Sequence, residues 1–185
     1  MARSANSEQE SWWILRAQSG DGEALNALLE AVQAPLYRYI LSLVREEALA
    51  EDILQEVFLR IYRKLRWLRE PQVFRAWAYQ IATRESFRHL KLERRWVDRF
   101  KDESAGPEPN LSLPSRDELA PELIERLHYL VAKLSPASRA VIVLYYLHEM
   151  SLDETAAVLG IPLGTVKSRL AYGLGSLRER FREEE

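Results

Sequence analysis

Five carboxylates lie close together at Glu46, Glu47, Glu51, Asp52 and Glu56. Such a group could hold magnesium in an all-α nucleotide hydrolase, but what should accompany it is missing. No second carboxylate cluster recurs at helical spacing on a later helix, and His89, His128 and His148 are scattered. His148-Glu149 lacks the second histidine of a zinc motif. The chain has no Cys, which excludes a disulfide framework, a thiolate zinc site and a cysteine nucleophile. No catalytic residue, metal ligand or cofactor site is assigned, and the chain is not read as an enzyme.

Recognition chemistry remains. The net charge of −2 conceals a strong asymmetry. Residues 60–101 carry 13 Lys/Arg against 4 Asp/Glu, net +9, whereas residues 1–59 are net −6, residues 102–125 net −6 and residues 126–185 net +1. A basic block in a mildly acidic protein is the electrostatic footprint of a polyanion partner. Within it Arg75, Arg84, Arg88, His89, Lys91, Arg94 and Arg95 are interleaved with Phe74, Trp77 and Phe87, which with Ile81 and Leu90 are expected on the buried side of their helix. Arginines hold phosphates and aromatics stack on unpaired bases. A second set, Thr165, Lys167, Ser168, Arg169 and Tyr172, is polar and basic where a purely structural helix would favour Ala, Leu and Glu.

These residues need helices to present them. Helix formers dominate, Gly is scarce and no Asn-Gly hairpin signal occurs, so the chain reads as all-α. Helices are expected over residues 8–20, 23–44, 47–65, 71–100, 122–134 and 136–148. Pro35 is expected to kink the second. The third carries an inward face of Ile53, Leu54, Val57, Phe58, Ile61, Tyr62 and Leu65, and an outer face that runs from acidic Asp52, Gln55 and Glu56 to basic Arg60, Arg63 and Lys64. That outer face suits protein docking. Four of the eight prolines fall at 107, 109, 114 and 121, which makes residues 102–121 a flexible acidic linker. It separates a domain at 8–101 from a domain at 122–182.

Residues 151–170, SLDETAAVLGIPLGTVKSRL, form two helices about a tight turn. Ser151 and Glu154 make a capping box, Gly160 ends the first helix and Pro162 opens the second. Ala156 and Gly160 are small where the helices should cross, and Val166 and Leu170 face back. This is a helix-turn-helix, whose second helix enters the DNA major groove by its N-terminal end. There Arg169 or Lys167 could reach guanine, and Thr165 and Ser168 phosphate or base.

With GDGEAL at 20–25, AEDILQEVFLRIYRKL at 50–65, FRAWAYQIA at 74–82, LSPASRAV at 134–141 and the helix-turn-helix at 151–170 in this order, the chain resembles the bacterial sigma factors of the extracytoplasmic-function (ECF) group. The resemblance implies a sigma region-two domain, a linker and a region-four domain. It implies that Asp52, Gln55 and Glu56 dock on core RNA polymerase. Residues 71–95 would open and read the minus-ten element as a melted strand, and the last helix would read the duplex minus-thirty-five element. An anti-sigma partner is a further implication. The chain departs from the resembled pattern at Arg84 and Arg88, where relatives carry Asn and Asp, and at Tyr172-Gly173, where Arg-Ala is usual. The competing reading is a stand-alone regulator that binds operator DNA without polymerase. No apolar run reaches membrane-spanning length, so a cytoplasmic protein with no membrane insertion is expected.

Overall fold

The computed structural model describes residues 2–90 and 131–183, with side chains over residues 8–90 and 131–177. The linker 102–121, most of the helix expected at 122–134, and Lys91, Arg94 and Arg95 lie outside the described residues. The first group of helices is α1 (Ala2–Gln18), α2 (Gly22–Val44), α3 (Glu47–Lys64) and α4 (Phe74–His89). Local chemistry sets their ends. The Asp21 carboxylate accepts from the Ala24 N–H at 3.0 Å and caps α2. Arg45, at φ 64°, closes α2 by donating its N–H to Leu41 O, a left-handed stop more often given to glycine.

Two corrections concern element bounds. The helix expected to start at residue 8 begins at Ala2. The one expected over 71–100 opens as a 3-10 turn, Pro71–Val73, before α4. Another 3-10 turn, Leu65–Trp67, ends α3. Tyr62, expected inward, is 66% exposed. The core of this group comes from Leu28, Val32, Leu36 and Ile40 on α2, Ile53, Val57 and Ile61 on α3, and Phe74, Ala78 and Phe87 on α4.

The second group is α5 (Pro136–Ile142), α6 (Leu152–Leu159) and α7 (Leu163–Glu183). Ser135 caps α5 by accepting from the Ser138 N–H, with Pro136 at the first helical position. The helix expected to run to His148 widens into a π turn over Val143–Leu147. Val141, Ile142, Leu144, Val158, Val166 and Leu170 are among the buried residues of this second group.

The two helical domains touch and share one apolar cluster. Arg139, 5% exposed, donates to Ser42 O and Leu43 O at the end of α2, at 3.3 and 3.0 Å. It also donates to Val131 O, Ala132 O and Leu134 O on its own side. Burial, aided by the nearby Arg45 charge, pulls the Arg139 pKa down to about 10. The cation survives at neutral pH because the carbonyls of helix ends carry partial negative charge. Tyr79 Oη meets His148 Nδ1 at 2.8 Å, and Arg45 reaches Ala132 O at 3.0 Å.

Candidate nucleic-acid interface

The helix-turn-helix is built by its own caps. The Glu154 N–H donates to Ser151 Oγ at 3.1 Å, and the Ser151 N–H donates back to Glu154 Oε2 at 2.7 Å. Gly160 ends α6 at φ 66°, and α7 takes up the chain when the Val166 N–H finds Pro162 O at 3.1 Å. Gly160 serves this backbone angle and not the helix crossing, since an added Cβ there would meet nothing within 4 Å. The close approach is at Gly173, where a Cβ would lie 2.5 Å from Ile142 Cδ1.

On α7 the helical period divides the predicted DNA contacts. Thr165 and Arg169 are 2% and 6% exposed, and neither is presented to a ligand here. They lie one turn apart, beside buried Val166 and Leu170. Lys167 is exposed and Ser168 half-buried, with Ser168 Oγ donating to Thr165 O at 3.0 Å. Tyr172 is 71% exposed. The outward face of the helix therefore offers Lys167, Ser168 and Tyr172.

The first domain also sorts its candidates. Phe74 and Phe87 are 1% and 2% exposed, so they are core and offer no stacking surface. Arg75 is committed: its Nε donates to Glu10 Oε2 at 2.9 Å, and its Nη2 pairs with Glu10 Oε1. This pairing holds the Arg75 pKa above its usual value, against the cost of burial. Arg84 is exposed. Trp77 is half-buried and lines a cleft of about 540 Å³ with Lys64, Trp67, Arg69, Glu70 and Val73. Trp67 is 68% exposed, and the Arg66 guanidinium carbon lies 4.5 Å from its ring centre. On α3, Asp52 and Gln55 are exposed, and Gln55 edges a groove of about 620 Å³ shared with Glu30, Gln33, Tyr37, Glu51 and Phe58. Glu56 does not face outward alone. It is bonded to Arg88 and His89 on α4.

The family Sigma-70 region 2 matches residues 28–96, and Sigma-70 region 4 matches residues 130–179. The ECF RNA polymerase sigma factor SigL of Mycobacterium tuberculosis is 33% identical over 182 residues, covering 90% of this chain and 94% of SigL. The chain belongs to the ECF RNA polymerase sigma factors. As a sigma factor it directs RNA polymerase in transcription initiation. SigW of Bacillus subtilis is 29% identical over 180 residues, 92% of this chain and 95% of that one. The same fold is seen in CnrH bound to the cytosolic domain of CnrY, with TM-score 0.70, 22% identity and coverage of 96% and 99%. It is seen again in the sigma factor RpoE bound to the anti-sigma factor NepR from Bartonella quintana, with TM-score 0.62, 21% identity and coverage of 86% and 98%.

Trp67, Arg69 and Glu70 of this sigma factor escaped the sequence reading. They lie between α3 and α4, where neither a helical nor a strand period operates. The available signal was an aromatic flanked by arginines just before a proline, in LRWLREP at 65–71. Among the described residues, no group of His, Cys, Asp and Glu is placed to hold a metal ion, and no helix is long and apolar enough to cross a membrane.

Proposed function

We propose that this sigma factor contributes binding and recognition, with no catalytic step of its own, through three surfaces. The exposed acidic end of α3, with Asp52 and Gln55, docks on core RNA polymerase beside the α2–α3 groove. The cleft between Trp67 and Trp77, ringed by Lys64 and Arg69, takes an unstacked base of the melted minus-ten strand, which aromatic walls and nearby cations suit. The outward face of α7, with Lys167, Ser168 and Tyr172, reads the duplex minus-thirty-five element. Phe74, Phe87, Arg75 and Arg169 have structural roles in this scheme.

The observation that carries the proposal is what α7 leaves outside. Among its described side chains Val166, Leu170, Leu174 and Leu177 are turned in, and Lys167, Ser168 and Tyr172 set a cation, a hydroxyl and a phenol on the outward face. The compact arrangement adds a requirement. The two elements are named for positions about 25 base pairs apart, roughly 85 Å along straight duplex at 3.4 Å per pair. A compact chain of this length is about 40 Å across. The two domains must part on the polymerase for both elements to be read at once. The exposed faces that remain are where an anti-sigma partner would sit, and the cytoplasm is the compartment this role requires.

The test is co-purification with bacterial core RNA polymerase, followed by run-off transcription on fragmented genomic DNA. Discrete new transcripts are expected. Asp52→Ala with Gln55→Ala should weaken the core complex itself. Lys167→Ala with Tyr172→Ala should leave that complex intact and remove the transcripts. Tight operator binding without any polymerase association would favour the stand-alone regulator.

A further inference from the structure

Glu56 stands between the docking end of α3 and the Arg88 edge of α4, the stretch that the family resemblance gives to the melted strand. It follows Asp52 and Gln55 on α3, at helical spacing that puts all three on adjoining positions. Yet its Oε2 is held by Arg88 Nη2 and, at 3.3 Å, by His89 Nε2. Two nitrogen donors converging on one anionic oxygen are also how a phosphate oxygen is held. Burial works against the Glu56 charge, but the His89 hydrogen bond and the Arg88 charge hold its carboxyl below the usual glutamate value.

A second carboxylate makes the arrangement directional. Glu85 Oε2 lies 2.6 Å from Arg88 Nη2, and Glu85 Oε1 lies 2.7 Å from Arg60 Nε. The Glu85 side chain is only 5% exposed, whereas Glu56 and Arg88 are 38% and 48% exposed. Glu85 therefore holds Arg88 from within by charge, since its Oε2 makes no aligned hydrogen bond, and Glu56 covers Arg88 from the solvent side. If Glu56 is drawn away, Arg88 stays oriented by Glu85 while the cluster gains one unit of positive charge.

We infer that Glu56 acts as an internal stand-in for phosphate, covering Arg88 and His89 in the free protein and releasing them to a DNA strand when α3 docks. The inference rests on the assignment of α3 to polymerase and of the Arg88 edge of α4 to DNA. Its occupant is a backbone phosphate of single-stranded DNA. Thermodynamic reciprocity then requires that a bound strand strengthen docking by the same factor that docking strengthens strand binding.

The experiment uses the full chain and a fluorescein-labelled single-stranded DNA oligonucleotide, with affinity read by anisotropy at low salt. Glu56→Gln is compared with Glu47→Gln, which makes the same change of charge at an exposed position in the first turn of α3. Glu56→Gln should bind about 5-fold tighter than Glu47→Gln, the low end of measured site–site couplings because the partners are partly exposed. Adding Arg88→Gln should abolish the gain. Equal affinity of Glu56→Gln and Glu47→Gln would overturn the inference, since only net charge would then matter. If Arg88→Gln changes oligonucleotide binding in neither background, the DNA assignment of α4 has failed, and the inference fails with it.

Discussion

At the scale of single residues, exposure separates ligand contacts from supports. Lys167 and Arg169 are both cations on α7, two positions apart, but only Lys167 reaches solvent. Lys167→Ala should weaken binding to promoter duplex by the holoenzyme and lower the slope of log affinity against log salt by about 1, the signature of one lost phosphate contact. Arg169→Ala should act on stability instead. A loss of about 2 kcal/mol in urea unfolding is expected, with the salt slope unchanged. Glu56 has a pH signature of its own. Its carboxyl is held below the ordinary glutamate value of 4.5, so its ion pairs contribute fully above that pH and fade as pH falls through the lower folded-state value. Unfolding curves of the parent and Glu56→Gln should differ by less than about 1 kcal/mol near neutral pH, because the pair is partly exposed. The difference should shrink below pH 4.5 and vanish in stronger acid.

At the scale of elements, α7 is tied to α5 by a glycine. A Cβ on Gly173 would strike Ile142 Cδ1, and Ile142 is fully buried. Alanine in mid-helix is otherwise favoured over glycine by about 1 kcal/mol, so strain and propensity oppose each other. Gly173→Ala should be neutral or destabilising alone, and stabilising in an Ile142→Val background, where Cδ1 is absent. A double-mutant cycle by thermal unfolding measures the coupling, expected at about 1–2 kcal/mol. Ser151→Ala, which removes half of the capping box, should cost about 1 kcal/mol.

At the scale of the whole molecule, the two domains are joined by a cation whose hydrogen-bond partners among the described residues are backbone carbonyls. Arg139 joins carbonyls at the end of α2 to carbonyls at Val131, Ala132 and Leu134. Arg139→Leu would leave these acceptors buried and unmatched, and hydrogen bonds from a charged donor are worth more than neutral ones. A loss of about 3 kcal/mol is expected. Urea unfolding followed separately by the tryptophans, which all lie before residue 97, and by helical circular dichroism should lose coincidence as the domains uncouple. Coincident curves for Arg139→Leu would show that the apolar contact, not Arg139, carries the coupling.

What the sequence determined was local, or was carried by motifs. Asp21, Ser151 with Glu154, and Gly160 act on backbone groups within four residues, so their caps follow from chain order alone. The inward faces of α2 and α3 follow from the 3.6-residue period, and the ordered motifs identified both the fold and the family. Tertiary structure decided which charges are spent. Glu56 meets Arg88 at a separation of 32 residues, Arg75 meets Glu10 at 65, and Arg139 reaches Ser42 at 97. Such pairings depend on how each helix is rotated against its neighbours, and composition carries no record of that rotation. The same rotation buried Arg169, turned Tyr62 outward, and brought Trp67 beside Trp77 across a stretch with no period to read. Residue type marked the cations and aromatics able to bind DNA, but only packing left some of them accessible, because a buried group must first meet its partners inside the protein.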